Sequence, residues 1–144
     1  MLSYDVLDTV ADAINPALGL LTLLVPWIRR KQWRAAVLIN VLTLIAVGFA
    51  YALQAIDKSL GLWSAVSLDF STHAAVFCAI ASALWHLEKP VRAAVAVLAL
   101  AYATLMLLQR YHSLLDLATT AAVMAVPLLL LRWWASRTFS ETLT

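Results

Sequence analysis

The stretch WRAAVLINVLTLIAVGFAYALQAI, residues 33–56, carries a single charged side chain, Arg34, near its start. An apolar run of this length is what a helix needs to cross the hydrocarbon core of a bilayer, roughly 17–25 residues. Four more runs flank it, at about 11–28, 71–87, 91–108 and 114–134, each near that length and seldom interrupted by charge. The chain of 144 residues is 64% hydrophobic and 12% charged, where a soluble domain carries about a quarter charged residues. So little polar surface excludes a monomeric water-soluble globule. The fold expected is all-α, a single integral membrane domain over 1–144 built as a bundle of five transmembrane helices.

Smaller signals fill in this picture. Pro16 and Pro127 fall inside the first and fifth runs and predict kinks, which neighbouring helices tolerate in lipid. The chain opens on acidic residues (Asp5, Asp8, Asp12), whereas a signal peptide opens on basic ones, so the first run reads as a retained helix. Asp8 and Asp12 share one face of it. Cys78 is the sole cysteine, which excludes an intrachain disulfide. The basic residues are spread over run ends rather than clustered, so nothing points to nucleic acid. Tyr102 and Met106 read as helix packing, and His86 beside Trp85 as an interface residue.

Orientation follows from charge. Five crossings put the N-terminus, the 57–70 loop and the 109–113 connection on one side, and residues 29–34, the 88–90 turn and the C-terminal tail on the other. The second side holds Arg29, Arg30, Lys31, Arg34, Lys89, Arg92, Arg132 and Arg137, leaving Lys58 and Arg110 on the first. The excess of lysine and arginine marks the second side as cytoplasmic. Trp27, Trp33, Trp85, Trp133 and Trp134 flank the same face, as an interfacial aromatic belt would. The N-terminus is then outside and the C-terminus inside.

This topology brings His73, at the start of the third run, level with His112, at the end of the fourth. One antiparallel hairpin separates them, so both fall on the outer side, and Asp116 follows four residues after His112. Ionisable groups at membrane depth are rare and mark function. A spacing of four residues puts His112 and Asp116 on one helix face. A carboxylate on one imidazole nitrogen fixes the tautomer and frees the other as base or nucleophile. An imidazole, ordinarily near ~6.5, suits proton donation at neutral pH, a role open to His73. Ser71 or Asp69 is the expected N-cap of the third helix, whose free N–H groups would hold phosphate. Together these residues suggest phosphoryl transfer through a phosphohistidine, on a lipid headgroup near the outer surface.

Phe70-Ser71-Thr72-His73 resembles the P-S-G-H motif of the type-2 phosphatidic-acid phosphatase superfamily. His112-Ser113-Leu114-Leu115-Asp116 resembles the H-x-x-x-D end of that superfamily's last motif, and the sphingomyelin synthase branch, with S-G-H-T and H-Y-x-x-D, is similar too. The resemblance covers about 69–122. It implies His112 as nucleophile, Asp116 as its orienting carboxylate and His73 as proton donor to the leaving group. Ser71 and Thr72 read as helix caps whose backbone would also serve substrate phosphate. The superfamily's first motif, a lysine and then an arginine-proline, has no counterpart here, and its arginine six residues before the nucleophile is Met106. Arg110 is the cation left to clamp phosphate.

The activity expected is that of an enzyme, a membrane lipid phosphatase acting on a phosphate ester at the outer leaflet without metal or other cofactor. Its partners would be a phosphorylated lipid and the bilayer, with polar groups buried within one chain or across a homo-oligomer. Its location would be a bacterial inner (plasma) membrane, with the site facing the extracytoplasmic side. A headgroup phosphotransferase is the rival enzyme. A non-catalytic lipid-phosphate-binding subunit or carrier is the rival from another class. A zinc site on three N/O ligands is a third reading.

Overall fold

The computed structural model describes residues 4–29, 33–85 and 89–138, with residues 4–8, 11 and 29 described by backbone alone. Among the described residues five helices follow one another: α1 Tyr4–Arg29, α2 Trp33–Leu60, α3 Thr72–Leu84, α4 Lys89–Leu108 and α5 Leu114–Thr138. A short 3₁₀ turn spans Ser64–Val66, and no strand occurs among the described residues. The all-α expectation holds. The expectations placed on His86, on the first residue of the 88–90 turn, and on the side chains of Asp5, Asp8, Arg29, Arg30 and Lys31 fall outside the described residues.

Helices α2, α4 and α5 are long and apolar enough to cross a membrane. The apolar part of α1 is shorter, Asp12–Ile28, and α3 has 13 residues. At 1.5 Å per residue α3 is about 20 Å long, against a hydrocarbon core of ~30 Å. Both α1 and α5 run as single helices through Pro16, Pro26 and Pro127. Pro90 lies in the first turn of α4 rather than in a turn before it, where its missing N–H leaves no helical bond unmade.

The short helix is the centre of the bundle. α3 packs against each of the other four helices, whereas α4 and α5, though consecutive, scarcely touch. Small residues explain the close approach: Ala75, Ala79 and Ala83 recur every fourth position on α3 and are buried, as are Ala36, Ala46 and Ala50 on α2. Phe77 meets Tyr102 of α4 with ring centroids 5.4 Å apart, and Met106 is buried one turn further on. The outside is the reverse of a soluble protein's, with Leu44, Val97, Leu100, Leu108 and Leu129 all exposed. Between α4 and α5, an apolar cavity of about 480 Å³ is floored by Phe77 and Cys78 of α3 and bordered by Arg132.

The segment between α2 and α3 is folded down onto α5. Trp63 donates its backbone N–H to Asp57 Oδ1 (2.9 Å) and its indole Nε1–H to Thr119 Oγ1 (3.1 Å). Its ring meets Phe70 edge-on at 4.9 Å. The reversal begins at Gly61, whose φ of +63° is open to glycine at no steric cost. A Cβ there would also sit 2.9 Å from Ser64 Oγ. Gly61→Ala is expected to lower stability by roughly 1–2 kcal/mol, read from chemical unfolding in detergent. An unchanged midpoint would show that the turn is not held.

Candidate functional site

Hydrogen bonds and imidazole–carboxylate pairs draw the first half of α1, the 61–71 segment, the start of α3, the end of α4 and the start of α5 to one end of the bundle. Three of the bonds anchor α3. Ser71 is its N-cap, fully buried, with Oγ accepting from Ala74 N–H (3.3 Å) and its own N–H donated to Thr120 Oγ1 (3.1 Å). Asn15 of α1 donates to the His73 carbonyl (3.0 Å). The N-cap expectation for Ser71 therefore holds. Its side chain, spent on capping and sealed from the surface, offers no direct contact to a ligand. Thr72 and His73 are half-buried at the first turn.

At α5 the structure departs from the sequence reading. Ser113 N–H is donated to Asp116 Oδ2 (2.7 Å), and Asp116 N–H to Ser113 Oγ (3.2 Å). This reciprocal pair is a capping box, so the helix starts after Ser113 and His112 lies outside it. The shared helix face expected of His112 and Asp116 does not form. The other oxygen of Asp116 accepts the backbone N–H of Asp69 (2.8 Å), and the residue is buried. Asp116 thus ties together the two strands of chain that carry Asp69 and His112, as a backbone tether.

Each imidazole has a different carboxylate beside it. His112 Nδ1 lies 3.3 Å from Asp69 Oδ2, and His73 Nε2 lies 3.4 Å from Asp12 Oδ1. The His112 side chain is 11% exposed and the Asp69 carboxylate 72%. The approach at His112 is out of line for a hydrogen bond, so Nδ1 is a buried polar atom within reach of an acceptor yet unbonded. Burial holds the His112 imidazole below its ordinary value of 6.5, and a charge on His73 would push the same way; Asp69 and Asp116 pull it up by less. His73 is thus near enough to bear on His112, and burial favours the neutral form of the His112 imidazole.

That shift has a sign. Above pH ~6.5 the imidazole is neutral whether the chain is folded or not. As pH falls below that value, the unfolded chain takes up the proton first, so stability declines until the lower folded value is passed. The unfolding midpoint is expected to drop between pH 7.5 and 5.5, and the drop to be smaller in His112→Asn. Equal drops would exclude a buried neutral imidazole.

Arg110 is exposed and takes a positive φ of 56°, ending α4 where glycine is usual. Its N–H reaches Leu107 O (3.1 Å) and the N–H of Tyr111 reaches Met106 O (3.3 Å), which folds the chain back so that His112 faces inward. No group of three or more His, Cys, Asp or Glu side chains among the described residues is gathered closely enough to hold a metal ion.

Asp69 and Asp12 are the neighbours that sequence reasoning missed as partners of the histidines. Asp69 was visible only as a candidate cap, and Asp12 belongs to a helix distant in sequence. The apolar cavity along α3 runs from Phe77 towards Trp85 and Arg132 and does not reach the histidines. No protein-family profile, curated protein or solved structure matches the chain.

Proposed function

We propose that the protein is a membrane lipid phosphatase that hydrolyses a phosphate ester of a lipid at the outer leaflet through a phosphohistidine. The observation that carries the reading is the presence of two imidazoles at one end of the bundle, each with a carboxylate within 3.4 Å. His112, as the neutral imidazole, attacks phosphorus through Nε2, and the bond from phosphorus to the lipid oxygen breaks. His73 gives its proton to that oxygen. Water then attacks the phosphorus–nitrogen bond, His73 takes the proton from the water, and inorganic phosphate leaves with His112 restored. Asp116 holds the chain at His112, Arg110 offers a cation at this end, and the first turn of α3 at Thr72 offers its N–H groups to phosphate.

Membrane residence is supported by the three helices able to span and by the exposed leucines. We place all five helices in the bilayer, with the histidine end outside, in a bacterial inner membrane. Trp27, Trp33, Trp85, Trp133 and Trp134, all exposed, mark the opposite interface with Arg34, Lys89, Arg92, Arg132 and Arg137. Cysteine labelling near residue 60 tests this: a probe confined to the outside should react there.

A second reading is favoured by charge. Three carboxylates (Asp12, Asp69, Asp116) surround two imidazoles, with Arg110 and Lys58 as the basic residues of this end. Such a balance stabilises a phosphoryl transition state weakly, which suits a headgroup phosphotransferase or a lipid-phosphate carrier. The test is release of inorganic phosphate from phosphatidic acid in vesicles, with and without chelator. Chelator-resistant release supports the phosphatase. Headgroup exchange without release favours the transferase, and binding with neither favours the carrier.

A further inference from the structure

The carboxylate that the shared-face geometry would have assigned to His112 is committed elsewhere. Both oxygens of Asp116 accept backbone N–H groups, from Asp69 at 2.8 Å and Ser113 at 2.7 Å. The acid nearest the imidazole is Asp69, its Oδ2 3.3 Å from Nδ1. We propose that Asp69 is the positioning residue of His112: its carboxylate takes the Nδ1 proton in a hydrogen bond, fixes that tautomer and turns Nε2 towards phosphorus. The proposal rests on the phosphohistidine reading for its role in turnover, though not for its geometry.

Three observations bear on it. His112 Nδ1 is buried without a hydrogen bond, so a donor there gains by finding an acceptor. Asp69, 72% exposed, is free to make the small rotation that aligns the pair. Misaligned bonds of this kind tighten when substrate arrives. Finally, the backbone of Asp69 is pinned by Asp116, which also pins Ser113, next to His112. One buried carboxylate therefore sets the distance between the imidazole and the acid that orients it. Asp116 acts on His112 through Asp69 and Ser113.

An equivalent arrangement serves the other histidine, where Asp12 of α1 lies 3.4 Å from His73 Nε2. The charged and titratable groups around His112 are thus Asp69 from the segment before α3, Asp116 from α5 and His73 from α3, with Asp12 beyond His73.

The test uses full-length protein in lipid nanodiscs with isotopically labelled histidine, signals being assigned through His73→Gln and His86→Gln. Asp69→Asn keeps the backbone N–H that bonds Asp116, and its side chain is exposed, so the fold should persist. The expected result is a lower titration midpoint for His112 and a shift of tautomer towards Nε2–H. Asp12→Asn should move the His73 signal instead. With phosphatidic acid vesicles, Asp69→Asn should lower kcat roughly tenfold or more with KM nearly unchanged, and Asp69→Glu should recover part of the loss. An unmoved His112 signal overturns the proposal, as does unchanged kcat in an active enzyme. A shifted signal in a protein that releases no phosphate keeps the positioning and overturns the phosphatase reading.

Discussion

His112→Ala is expected to abolish release of phosphate from phosphatidic acid, by on the order of 10³-fold or more, while leaving the protein folded. The side chain is the nucleophile of the proposed reaction, 11% exposed and set beside Asp69. Its removal should also eliminate the covalent intermediate. In rapid-quench experiments with ³²P-labelled lipid, wild-type protein should retain label that is stable to base and lost in acid, as a phosphorus–nitrogen bond is. His73→Ala should slow turnover by a smaller factor, because water can supply the leaving-group proton. Normal turnover in His112→Ala would refute the mechanism, and label trapped on that variant would move the nucleophile elsewhere.

Asp116→Ala is expected to be the most destabilising change at this end. The buried carboxylate accepts two backbone N–H groups at 2.8 and 2.7 Å. Alanine would leave both donors without an acceptor, and charge-assisted bonds of this kind are worth about 1.5–3 kcal/mol each. Partial rehydration lowers the total, so we expect a loss of roughly 3 kcal/mol in chemical unfolding. Asp116→Asn should fall between, since its amide keeps one acceptor and turns an N–H donor towards another donor. Activity should fall in Asp116→Asn even where the protein stays folded, because Asp69 and His112 are no longer held at a fixed separation. A loss under about 0.5 kcal/mol in the alanine variant would mean that the tether is not formed.

The fold was legible wherever hydropathy alone decides it. The run at 33–56 is the body of α2, and those at 91–108 and 114–134 are the bodies of α4 and α5. Boundaries drifted where helix continues in polar sequence: α1 begins at Tyr4, through Asp5 and Asp8, and α2 runs on past Asp57 to Leu60. Hydropathy cannot see such turns, because a helix outside an apolar core needs no apolar residues. The third run was overextended for the opposite reason, since apolar residues continue past Leu84 where the helix ends.

The sequence placed the two histidines at one end of the bundle but not the acids beside them. Ser113 and Asp116 stand in the capping-box spacing, a local signal that competes with any pairing four residues apart. Capping prevails because it satisfies two donors at once within the same turn. The partners that stand beside the imidazoles, Asp69 and Asp12, come from tertiary packing. Asp12 meets His73 only because α1 lies against α3, and the small alanines of α3 leave little in the local sequence to announce it.

The brevity of α3 also sets where a substrate must go. If Trp85 rests at the cytoplasmic interface, a helix about 20 Å long ends some 10 Å short of the far side of a ~30 Å core. His73 would then stand about 10 Å inside the outer face of that core, at acyl-chain depth rather than in open water, with the 61–71 segment packed on α5 nearby. A lipid would need only to slide sideways and dip its headgroup into this recess, whereas a water-soluble phosphate ester would have to enter from above through folded chain. Selectivity for membrane-borne phosphates would thus be a matter of depth, imposed by the length of one helix before any side chain touches the substrate.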